Sequence, residues 1–159
     1  MSLYRVHGIP LAVATTVRDT LRAPQYGHPA HVEVATGYGP CRLCLQTFNV
    51  GHEDRLLFTY QPFADEAALP APGPVFIHHQ PCERYDGPEV PEALRPLPLV
   101  VEAYGDAGAL LLQRRVGVDS VDAVLAHAFG FADTRYAHLR NGEAGCFIAR
   151  VDRADTEGL

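Results

Sequence analysis

A chain of 159 residues with 47% hydrophobic and 20% charged residues is long enough for one domain with its own core and too apolar to stay disordered. Its net charge of -6 argues against a nucleic-acid backbone or an anionic membrane surface as partner. All 13 basic residues are arginines, which excludes Schiff-base chemistry, a lysine general base and a P-loop of the usual kind.

Tyr4, Val6 and Gly8-Ile9-Pro10 predict a short strand closed by proline. Val13, Val17 and Leu21 fall four apart and predict a short helix, and His31 to Ala35 alternates as a strand. After the turn-rich Thr36-Gly37-Tyr38-Gly39-Pro40, alternation predicts a strand from Cys41 to Phe48. That strand would form a hairpin with Arg55 to Phe63. A proline-rich loop over 64–74 precedes the strand Val75 to His79, and a second runs over 81–98.

Leu99 to Tyr104 and Ala109 to Val116 read as a hairpin around Gly105-Asp106-Ala107-Gly108. Asp119 and Asp122 have the spacing of a capping box before a helix with the apolar stripe Val121, Val124, Leu125 and Ala128. Thr134 to Arg140 and Cys146 to Asp152 close the chain as a hairpin around Asn141-Gly142. The sum is an α+β domain over 1–153, built on a mostly antiparallel sheet with two helices, and a frayed tail over 154–159. The segment from Met1 to Val17 lacks a basic start, and His7 and Pro10 interrupt its apolar run, so a cytoplasmic location is expected.

Gly39-Pro40-Cys41-Arg42-x-Cys44-Leu45, Gly73-Pro74-Val75-Phe76, and Asn141 with Gly145-Cys146-Phe147-x-Ala149-Arg150-Val151-x-Arg153 resemble the DUF1203 family of bacterial proteins. The resemblance runs from Tyr4 to Arg153 and implies no activity, because the family name records an unknown function. It also implies serine at position 44, so Cys44 is this chain's own feature, as is Asp65-Glu66-Ala67-Ala68-Leu69 in place of a Pro-Tyr pair.

Cys41-x-x-Cys44 and His78-His79-x-x-Cys82 have the look of metal-ligand pairs. On strands, however, residues three apart or adjacent point to opposite faces, so buried thiols and loop histidines, with no metal and no cofactor, are the expectation. A site using Cys82 with His78 or His79 requires the Pro81 turn to fold back. A redox CxxC belongs at a helix N-terminus, not on a strand.

Three functions remain. The first is binding of a small acidic ligand by Arg42, Arg140, Asn141 and Arg150, where the guanidinium forks are not taken by Glu33, Glu102 or Asp152. The second is a hydrolase or transferase with Cys41 or Cys146 as nucleophile and His138 as base. The third is an interaction or structural protein without pocket chemistry.

Overall fold

The computed structural model describes residues 3–37, 39–62 and 72–154, so most of the expected 64–74 loop and of the expected tail lies outside the described residues. The elements are β1 (Tyr4–His7), α1 (Leu11–Thr20), β2 (His31–Val34), β3 (Asp54–Tyr60), β4 (Gly73–His78), β5 (Asp86–Gly87), β6 (Leu99–Tyr104), β7 (Leu110–Arg115), α2 (Val121–Phe129), β8 (Tyr136–Asn141) and β9 (Phe147–Arg153). Every pairing between these strands is antiparallel, and with two α-helices the fold is α+β. The strands divide into a six-stranded sheet, β5-β1-β9-β8-β6-β7, and a three-stranded sheet, β2-β3-β4.

Each sheet carries its own core. Val6, Val101, Leu139 and Val151 of the larger sheet cluster with Val124, Leu125 and Ala128 of α2. Leu56, Phe58, Val75 and Ile77 of the smaller sheet cluster with Ala14 and Val17 of α1. Phe147, at the start of β9, belongs to the smaller core, so the seam between the sheets runs past it.

The stripe expected of α2 is buried, but its cap differs: the Ser120 side chain, not Asp119, accepts from the Ala123 N–H at 3.1 Å. Asp119 accepts from Arg114 instead, and Asp122 forks with Arg95.

The larger departure lies at 41–48, where no strand forms. Arg42, Leu43 and Cys44 make a turn closed by Leu45 N–H donating to Cys41 O at 2.9 Å. Leu45 takes the left-handed φ of 60° that the reversal needs. The expected hairpin with 55–63 is therefore absent, and β3 pairs with β2 and β4.

Three segments grip this turn through its backbone. Ile9 N–H donates to Arg42 O, Tyr85 N–H donates to Leu43 O, and Arg42 N–H donates to Phe76 O, all at 2.9–3.0 Å. Among the described residues no helix is long and apolar enough to cross a membrane.

Candidate metal centre

Turning at Arg42–Cys44 has a chemical consequence. On a strand Cys41 and Cys44 would face opposite ways; across the turn both thiols point to one place. β4 ends at His78, and the chain then folds back through Pro81, which returns Cys82 to the same place. The sulfurs of Cys41, Cys44 and Cys82 and a ring nitrogen of His78 all lie within 4.8 Å of one another.

The spacing inside the cluster is that of a coordination shell. Cys41 Sγ and Cys82 Sγ are 3.9 Å apart, and Cys44 Sγ is 3.4 Å from His78 Nδ1. Tetrahedral zinc, with its usual bond lengths to sulfur and nitrogen, requires S···S near about 3.8 Å and S···N near about 3.6 Å.

The remaining contacts orient three of the four side chains. Glu53 Oε2 lies 3.2 Å from His78 Nε2, the arrangement in which a carboxylate fixes an imidazole so that Nδ1 faces a metal. The Asn49 N–H holds that same oxygen at 2.8 Å, and the Phe48 ring packs on the imidazole with centroids 4.6 Å apart. Arg18 Nη2 donates to Cys82 Sγ at 3.2 Å, and the His78 N–H donates to Cys41 Sγ at 3.4 Å. Cys41 is fully buried, whereas Cys44, His78 and Cys82 are half-buried, so the cluster sits at the rim of the smaller core.

Protons distribute unevenly among these groups. Hydrogen bonding from Cys44, then from Cys82, pulls the Cys41 thiol well below the ordinary range against the opposing effect of burial. Its neighbours Cys41 and Cys82 push Cys44 up. The same two thiols raise His78 to about 10, with burial acting the other way. A divalent cation would replace the protons held here, since thiolates and neutral imidazole are its ligands.

All four residues fall inside residues 38–153, the span matched by the family profile described as "Protein of unknown function (DUF1203)". The chain belongs to DUF1203. The matched span starts after β1, α1 and β2 and is shorter than the Tyr4–Arg153 resemblance. No curated protein and no solved structure matches the chain.

In this DUF1203 chain the sequence-derived candidates are dispersed. Cys41 has His78 as its imidazole neighbour. His138, on β8, is fully buried among Tyr104, Tyr136 and Phe147, with ring centroids 5.0–5.4 Å away. Burial first, then Arg140 and Arg150, lowers its pKa to about 3. Half-buried Cys146 precedes β9 and lines a cavity with Arg140, Tyr60 and Phe147.

The arginines are engaged locally. Arg140 is ion-paired with Glu102, both side chains 10% exposed, and donates to Gly145 O at 3.1 Å. Arg150 donates to Asp152 at 3.0 Å and lies over the Tyr136 ring. Arg42 donates to Phe147 O and Pro40 O, both at 2.7 Å, and burial lowers its pKa to about 10. It thereby ties the CxxC turn to β9 across the seam. Asn141 Oδ1 accepts from the N–H groups of Glu143 and Ala144, shaping the last turn.

The expected pairing of Glu33 falls to Arg55, at 2.8 Å. Sequence reasoning picked out Cys41-x-x-Cys44 and His78-His79-x-x-Cys82 as separate pairs and set Cys41 and Cys44 on opposite faces of a strand. It made a site with Cys82 depend on the Pro81 turn folding back, which it does. Glu53 and Arg18 carried no sequence signal, because their relation to the cluster depends on the fold.

Proposed function

We propose that this protein binds one thiophilic divalent cation, zinc by preference, through Cys41, Cys44, His78 and Cys82. The observation that carries the reading is the convergence of four ligand atoms from three chain segments within 4.8 Å. Three sulfurs and an imidazole select zinc over magnesium or calcium, which take oxygen ligands. Four protein ligands complete a tetrahedral shell, so the metal's role is structural. It fastens the CxxC turn to the end of β4 and to the segment through Cys82. The free thiols fit a reducing compartment, and we place the protein in the bacterial cytoplasm on that ground.

Metal analysis of protein purified under reducing conditions tests this directly. About one zinc per chain is expected, with cobalt substitution giving thiolate-to-cobalt charge transfer and a tetrahedral d–d spectrum. Cys41→Ser and Cys82→Ser should each lose most of the metal. A chain that retains none after incubation with zinc and dialysis, or serine variants that bind as well as the parent, would sink the proposal.

A second reading is supported by the cavity of about 290 Å3 lined by Arg140, Cys146, Tyr60 and Phe147. It would take a small acidic ligand, or place Cys146 as a nucleophile in its wall. Saturable calorimetric heats with small carboxylates, lost in Arg140→Gln, are expected. Absent heats, together with a Cys146 no more reactive at pH 7 than an unactivated thiol, would discard it.

A further inference from the structure

The cluster pairs a half-buried cysteine, Cys82, with a fully buried one, Cys41. Their sulfurs are 3.9 Å apart. Arg18 sets Cys82 apart from Cys44, because its Nη2 donates to the Cys82 sulfur at 3.2 Å while its Nε is anchored on His78 O at 3.1 Å. As a ligand of the bound cation Cys82 is a thiolate, with a guanidinium fixed beside it and a second sulfur in reach. It can therefore be oxidised by a peroxide and the product resolved as a disulfide.

We propose that the site is redox-gated: a hydroperoxide oxidises Cys82, Cys41 closes a Cys41–Cys82 disulfide, and the metal leaves. This rests on the metal-binding reading above. In the first step the Cys82 thiolate attacks the peroxide, the O–O bond breaks, and Cys82 becomes a sulfenic acid as an alcohol or water leaves with one proton. In the second the Cys41 thiolate attacks that sulfur, the S–O bond breaks, and hydroxide leaves as water with a second proton. Two thiolates are oxidised by two electrons and one peroxide is reduced. Cys44 and His78 then remain as the only protein ligands of the four, too few to hold a structural cation.

The sequence makes the test unambiguous. Trypsin cuts after Arg42, so the four cysteines fall in separate peptides: 23–42, 43–55, 56–84 and 141–150. Zinc-loaded full-length protein is treated with hydrogen peroxide while a metallochromic dye follows zinc, and the digest is mapped by mass spectrometry.

The expected result is a 23–42/56–84 cross-link growing in step with zinc release, both reversed by dithiothreitol and fresh zinc. Cys82→Ser should form no such link, Cys44→Ser should still form it, and Arg18→Gln should slow it severalfold. A zinc-loaded protein that keeps its thiols, links a different pair, or forms the disulfide without losing zinc would overturn the inference. Zinc content before oxidation separates these outcomes from failure of the metal reading. A chain that never loads zinc overturns both, whatever its thiols do.

Discussion

His138 is neutral because three influences act on one ring. Burial opposes charge, Arg140 and Arg150 repel a proton, and Asp152 only partly offsets them; Glu102 lies opposite on β6, committed to Arg140. In the unfolded chain the ring titrates near its ordinary value of about 6.5, while in the fold it resists protonation down to about 3. Between those values the unfolded state binds the extra proton, so stability is fully present above pH 6.5 and falls as pH drops towards 3. At pH 5 the loss is about 2 kcal/mol relative to pH 7. Urea unfolding at both pH values should show it, and His138→Phe, kept within the aromatic surroundings, should lose correspondingly less. Equal losses in parent and variant would refute the assignment.

At the scale of elements, the CxxC turn depends on Gly8. A Cβ at position 8 would come within 2.1 Å of Leu43 O and 2.6 Å of Arg42 O, both backbone atoms of the turn. Gly8→Ala must push β1 and the turn apart, at a cost of about 1–3 kcal/mol by the usual scale of overpacking. Displacing the turn moves Cys41 and Cys44 from His78 and Cys82, so zinc affinity should fall as well. Gly73→Ala, with nothing within 4 Å of the added carbon, serves as a control expected to change stability by under about 0.5 kcal/mol. A Gly8→Ala variant matching that control in both stability and zinc content would remove the turn's dependence on β1.

The same turn explains where sequence reading succeeded and where it failed. Strands such as Leu99–Tyr104 were legible because alternation and hairpin chemistry agreed with one buried face. Cys41, Leu43 and Leu45 alternate too, and all three are buried, but not on one pleated face. Cys41 and Leu43 enter the smaller core, whereas Leu45 enters the larger one. A turn wedged between two cores thus imitates the period of a strand. Nothing local distinguishes them, since the left-handed φ falls on leucine, where no glycine marks it. With the strand assumption went the metal cluster, whose ligands were visible as residue types but not as neighbours.

Across the whole molecule, the proposed metal would act where the architecture is least self-sufficient. The larger sheet has six strands and α2 to cover it, whereas the smaller has three strands, and β2 is an edge of mostly exposed residues. The cluster closes the smaller core, and Arg42 carries its order to β9 through the bond to Phe147 O. Metal bound only by the folded state at about 100 times its dissociation constant adds about 2.7 kcal/mol. For a chain of this size that corresponds to about 5–10 °C in melting temperature. Chelation under reducing conditions should lower the melting temperature of the parent by that amount and leave Cys82→Ser unmoved. Hydrogen exchange should localise the loss, with β3, β4 and the 41–46 turn opening sooner while β6 and β8 keep their protection. Uniform acceleration across both sheets would mean that the seam at Phe147 and Arg42 couples the two cores into one cooperative unit. An unchanged melting temperature would deny the metal any structural part.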